Sequence, residues 1–144
     1  MHFRTTITLG LIVLLSACGG TDPETLPDSA LSYDAIDAQV GCRSTFSDAK
    51  KQDIFDNQFK NKWYRWTGTV VQSDPGSAQI DLNGGGIQDL SLDFDSDDAG
   101  YNLQRGQQIT VRFVLDSLGG CFLPYGGKHG AIVVNPPSTQ NSEK

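Results

Sequence analysis

The sequence predicts a mainly β protein, a small closed five-stranded barrel preceded by an amino-terminal α-helix. Three observations carry this. The apolar period changes from helical to two at Trp63, and from there short alternating stretches follow one another. Asp74-Pro75-Gly76-Ser77 and Asn83-Gly84-Gly85-Gly86 separate those stretches with residues suited to tight turns. Gly68 stands in the middle of the long first strand, where a glycine permits the coiling that lets one strand serve both halves of a barrel.

In chain order, residues 1–17 come first: a basic start at Arg4, an apolar run of about a dozen residues, and small residues at its end. That run is too short for a spanning helix, which needs roughly 20 apolar residues. Leu15-Ser16-Ala17-Cys18, followed by Gly19, resembles the lipobox of bacterial lipoproteins. The resemblance implies that residues 1–17 are a signal peptide and that Cys18 becomes the acylated first residue of the mature chain. Each buried methylene of such an anchor contributes about 0.8 kcal/mol. It also implies the cell envelope, and Gly19 after the cysteine favours the outer membrane, facing the periplasm. An ordinary secretory signal with a chance cysteine is the plainer reading. Residues 18–32, with Gly20, Pro23 and Pro27 and little to bury, read as the lipidated cysteine and a flexible tether.

The folded domain is expected over 33–134. A short helical piece fits Tyr33 to Val40 with Gly41 as its stop. A longer helix fits Ser47 to Lys62, with Ser47 as N-cap, Asp48 in the first turn, and Ile54, Phe55 and Phe59 along one face. The first strand, Trp63 to Gln72, places Tyr64, Trp66, Gly68 and Val70 inward. The second, Ala78 to Leu82, turns Ala78, Ile80 and Leu82 in. The third, Leu90 to Phe94, turns Leu90, Leu92 and Phe94 in, leaving Asp89, Ser91, Asp93 and Asp95 to water. The fourth alternates most cleanly, with Ile109, Val111, Phe113 and Leu115 against Thr110, Arg112, Val114 and Asp116. Ala131 to Val134 forms a short fifth strand. Residues 135–144, polar and broken by Pro136 and Pro137, read as a disordered tail.

Trp66-Thr67-Gly68-Thr69-Val70 and the segment Leu103-Gln104-Arg105-Gly106-Gln107-Gln108-Ile109-Thr110-Val111 resemble the strand motifs of OB-fold domains. They are similar in particular to the exported bacterial group called tRNA-anticodon-binding-like. Asp95 to Leu103 departs from that pattern, being short and polar for the usual capping helix. The helix before the first strand is expected to take over part of that role.

Composition narrows the function. The net charge is −6, moving to −7 without Arg4, so the surface repels a phosphate backbone and no nucleic-acid partner is expected. About a hundred residues suffice for one domain. With Cys18 lipidated, Cys42 and Cys121 form an even pair in an oxidising compartment, favouring a disulfide over two buried thiols. That bridge closes about eighty residues, which loop-entropy models value at roughly 4 kcal/mol.

Catalytic signals are weak. His129 is the only histidine after the signal, with Cys121 its nearest thiol, and a bridged cysteine cannot act as nucleophile. Its plainer role is a loop residue among glycines. The aspartates lie on wet strand faces or in turns, where nothing tunes a catalytic pair. Asp93, Asp95 and Asp97 stand at alternate positions like the start of a calcium loop, but Asp98 takes the place of its glycine and Gln104 that of its glutamate. A solvated strand face explains the same pattern, so no metal and no cofactor is expected.

Aromatic residues remain. Alternation puts most of them in the core and leaves Trp63 and Arg65 on the outer side of the first strand. Tyr101 and the Phe122-Leu123-Pro124-Tyr125 segment are expected in loops, where they suit either contact with a partner or a loop pinned to the barrel. The expectation is a non-enzymatic, membrane-anchored binding module for an envelope protein or glycan. The alternatives are an inhibitor of a secreted cell-wall enzyme, a small accessory subunit of an envelope assembly and, outside binding, a hydrolase.

Overall fold

The computed structural model describes residues 22–133. Cys18, the signal and the proline-rich tail lie outside the described residues.

Five strands close into an OB-like barrel: β1 (Trp63–Asp74), β2 (Ser77–Asp81), β3 (Leu90–Phe94), β4 (Gln108–Ser117) and β5 (Tyr125–Ile132). The order around it is β1-β2-β3-β5-β4 and back to β1. β1 is long enough to serve twice, pairing Trp63–Thr69 with β4 and Thr69–Asp74 with β2. Gly68 sits where the two pairings meet. A Cβ there would fall 2.5 Å from the Asp81 carbonyl oxygen and 2.6 Å from Ile80 Cγ2, so close approach of β2 requires the glycine. The parallel pairing of β3 with β5 completes the closure. Inward residues of all five strands, from Tyr64 and Trp66 to Val111, Phe113 and Tyr125, fill the barrel in one apolar cluster.

β5 begins six residues before the expected Ala131. Gly126, Gly127 and Gly130 carry no side chain and so give no alternation to read. They are needed there, because a Cβ on Gly127 would lie 2.6 Å from the Phe113 ring and one on Gly130 2.9 Å from Leu92. His129, expected in a loop, lies within this strand beside a register shift, with φ of 55°.

Two helices precede the barrel: α1 (Tyr33–Val40), capped by the Ser32 hydroxyl, and α2 (Asp48–Ile54), capped by that of Ser47. The expected single helix to Lys62 instead widens into a π-helical turn over Phe55–Phe59, where Lys60 N donates to the Phe55 carbonyl. Asn61, at φ 57°, ends it. An eight-residue helix is marginal alone. Ile36 and Val40 of α1 are fully buried, each worth about 1.5–3 kcal/mol, and they fix it to the barrel.

The β3–β4 connection, expected without a helix, forms one helical turn, α3 (Asp97–Tyr101). Gly100 makes it fit, since a Cβ would come 2.0 Å from the Asp74 carbonyl oxygen and 2.8 Å from that of Ser77. α3 therefore sits at the Phe94 end of β3, while α1 reaches the Leu90 end through Tyr33 and Asp89.

The segment from Asp22 to Ser32, expected as tether, is an ordered strap. It lies on the part of β1 that β2 leaves unpaired. Trp63 N donates to the Pro27 carbonyl at 2.9 Å, and Ser29 N to the Trp63 carbonyl at 2.8 Å. The indoles of Trp63 and Trp66 donate to the carbonyls of Pro23 and Leu31, each at 2.9 Å. Backbone and indole groups hold this strap, so its low apolar content gave no sign of it.

Candidate functional site

Two loops and α1 frame a cavity of about 420 Å³ at the Leu90–Tyr125 end of the barrel. The β2–β3 loop is caged by two carboxylates. Asp81 accepts from the backbone N–H of Asn83, Gly84 and Gly86 at 3.1, 2.7 and 2.7 Å. Asp89 accepts from Leu82 N at 2.8 Å and Asn83 N at 3.1 Å. Gly84 and Gly86, at φ 80° and 77°, supply the left-handed positions that the cage demands. These aspartates were expected on a wet strand face. Asp81 is instead buried, and both are tied to the loop.

The β4–β5 loop is braced differently. Cys121 is disulfide-bonded to Cys42, just after α1. Gly120 N donates to the Leu123 carbonyl at 2.8 Å. The bridge forms a wall between the main cavity and a neighbouring one of about 250 Å³ on the α2 side.

Tyrosines and aspartates line the floor. Tyr33 Oη donates to Asp89 Oδ1 at 2.9 Å, and Tyr125 Oη to Asp37 Oδ1 at 3.4 Å. The two rings meet edge to face with centroids 5.9 Å apart. Both phenols are pushed above the ordinary tyrosine range. Burial is the main cause, followed for Tyr33 by the hydrogen bond to Asp89 and for Tyr125 by the charge of Asp37. They therefore stay protonated donors. Arg43 stands at the edge, with Nε 3.4 Å from Asp37 Oδ2 and Nη2 3.5 Å from Asp34 Oδ1.

The rim is apolar. Ile87 is 70% exposed, Phe122 96% and Leu123 72%. All three line the same cavity, one from the β2–β3 loop and two from the β4–β5 loop.

The expected contact residues separate. Phe122 stands at this mouth. Tyr125 does not project from a loop: it is 2% exposed at the start of β5, in the core. Trp63 is not an outer contact residue either. It is 7% exposed, covered by the strap and by the Arg112 guanidinium 3.8 Å from its ring centroid. Arg65 is exposed on β1, paired in register with Arg112. Tyr101 is 74% exposed on α3, at the far end of β3 from Phe122.

Asp93, Asp95 and Asp97 do not converge, and among the described residues no three His, Cys, Asp or Glu side chains are grouped to hold a metal. Asp95 instead pairs with His129 Nδ1 at 2.9 Å. With Cys121 in the disulfide, the Cys–His pair weighed from the sequence is not formed.

Sequence reasoning missed Tyr33, Asp37, Arg43, Ile87 and Asp89 as parts of one site. Asp37 gave a usable sign, lying beside Ile36 and one turn before Val40 on the helix face that packs inward. No family model, no curated protein and no solved structure matches the chain.

Proposed function

We propose that the chain is a lipid-anchored, non-enzymatic binding module of the bacterial envelope, engaging a partner protein through the mouth rimmed by Ile87, Phe122 and Leu123. The observation that carries this is the clustering of three large, exposed apolar side chains on two braced loops. Single exposed apolar residues are ordinary, but a cluster beside a cavity marks a contact surface. The cage of Asp81 and Asp89 and the bridge at Cys121 order both loops before any partner arrives. Binding then costs less in lost loop freedom. The lipobox-like motif at Cys18 supports the anchor and the compartment. The apolar rim favours a protein over a glycan, and it moves the contact surface away from Tyr101.

Photo-crosslinking in intact cells tests the reading. A photoreactive residue in place of Phe122 should give a discrete protein adduct, the same residue in place of Tyr101 should not, and Cys18→Ser should abolish the adduct by releasing the chain from the membrane. Equal adducts from both positions, or none from position 122, would overturn it.

A further inference from the structure

We infer that the mouth receives a lysine or arginine side chain of the partner, presented between apolar residues that rest on Ile87, Phe122 and Leu123. This rests on the reading of the mouth as the contact surface and specifies the chemistry of what enters it.

The rim settles the flanking residues. Its three apolar side chains surround the opening on two sides, so the residues next to the inserted group must themselves be apolar.

The floor settles the inserted group. Both phenolic protons already point at carboxylates, Tyr33 to Asp89 and Tyr125 to Asp37, so the phenols offer the cavity oxygen lone pairs and ring surface. The backbone N–H groups of the glycine loop are likewise turned toward Asp81 and Asp89. Two side-chain donors of the lining are engaged too: the Asn83 amide donates to Asp89 and the Arg43 guanidinium is turned to Asp37 and Asp34, so an incoming anion must draw Arg43 away from two carboxylates.

An incoming cation meets the opposite. Asp37 is buried, and among the described residues its two oxygens are held only by contacts of 3.4 Å from Tyr125 and Arg43, long for charge-assisted bonds. A carboxylate has about four acceptor positions. Arg43 shows the preference within the molecule. Its guanidinium already spans Asp37 and Asp34, while its side chain remains 67% exposed and free to swing aside. A volume of about 420 Å³ lies near the small end of ligand pockets and suits one long side chain. The surplus negative charge of the whole chain, −6, steers a basic segment toward it.

The test uses the mature chain from Cys18, labelled with 15N, and three blocked pentapeptides: Gly-Leu-Arg-Leu-Gly, the same with neutral citrulline for arginine, and the same with glutamate. The arginine peptide should shift the Gly85, Gly120 and Phe122 amides and bind at least tenfold tighter than the citrulline peptide. Asp37→Asn should cut that preference to threefold or less. Should Asp37→Asn melt early, Arg43→Ala, at an exposed side chain, removes the internal competitor for Asp37 and should raise the preference at least twofold; an unchanged preference overturns the inference. Equal binding of the arginine and citrulline peptides, or tighter binding of the glutamate peptide, overturns the cationic specificity and leaves the contact surface standing. Arginine-peptide shifts confined to residues remote from the mouth overturn it as well. If no peptide shifts the mouth, this inference falls, and crosslinking at position 122 then decides whether the binding-module reading falls with it.

Discussion

Tyr33, Tyr64 and Tyr125 keep their protons more tightly in the folded chain than in the unfolded one, burial being the leading cause for each. The sign follows directly. Below about pH 10 these phenols are protonated in both states and stability is unaffected. Above it the unfolded chain ionises first, so the folded state binds more protons and stability falls as pH rises. For Tyr125, fully buried and held far above the ordinary range, the slope approaches about 1.4 kcal/mol per pH unit; Tyr64 adds in the same direction. Urea midpoints at pH 7, 9 and 11 should therefore drop almost entirely across the upper interval, and Tyr125→Phe should flatten that drop. A midpoint constant to pH 11 would contradict this account. At this scale the sequence was legible for apolar residues and misleading for acidic ones. Alternation assigns a side chain to a face, and Asp81 and Asp89 do begin on the outward side. It does not register that a carboxylate at a strand end can turn onto backbone N–H groups of the adjoining loop, Asp81 onto the loop that follows it and Asp89 onto the loop that precedes it.

Among the elements, β1, β3 and β4 were legible because most of their residues alternate between core and water; the paired Trp63 and Val114 break the alternation, both buried on the side expected to face outward. β5 was not, because glycines stand at two of its three buried positions, Gly127 and Gly130, and at half-buried Gly126. The β4–β5 loop that feeds it is joined to the segment just after α1 by the disulfide, across 79 residues. Loss of the bridge frees the unfolded chain more than the folded one. The Cys42→Ser/Cys121→Ser chain should be less stable by about 4 kcal/mol on the loop-entropy model, read from urea unfolding at neutral pH. The candidate site was half-legible for the same reason. Phe122 stood out as an aromatic in a loop, whereas Ile87 and Asp37 gain meaning only from elements distant in sequence that the fold sets beside them.

For the whole molecule, the closed five-stranded barrel and the helix in front of it followed from the pattern, while the strap did not. Its removal offers a direct check. Deleting residues 22–31 exposes the indoles of Trp63 and Trp66 and removes the carbonyls that accept from them. Tryptophan emission should move to the red and the melting temperature should fall, whereas a tether with no contacts would leave both unchanged. The strap also fixes a distance. Were it slack, Gly19 to Ser32 would let the barrel roam a wide volume around Cys18. With Pro23 already held at the barrel, five Cα steps separate it from Cys18, at most about 18 Å when fully drawn out. The strap then runs from Pro23, beside Trp63, to Tyr33 at the cavity. On the proposed anchoring, the domain perches near the headgroups as a short-stalked post, and its reach toward other envelope components is set by its own dimensions.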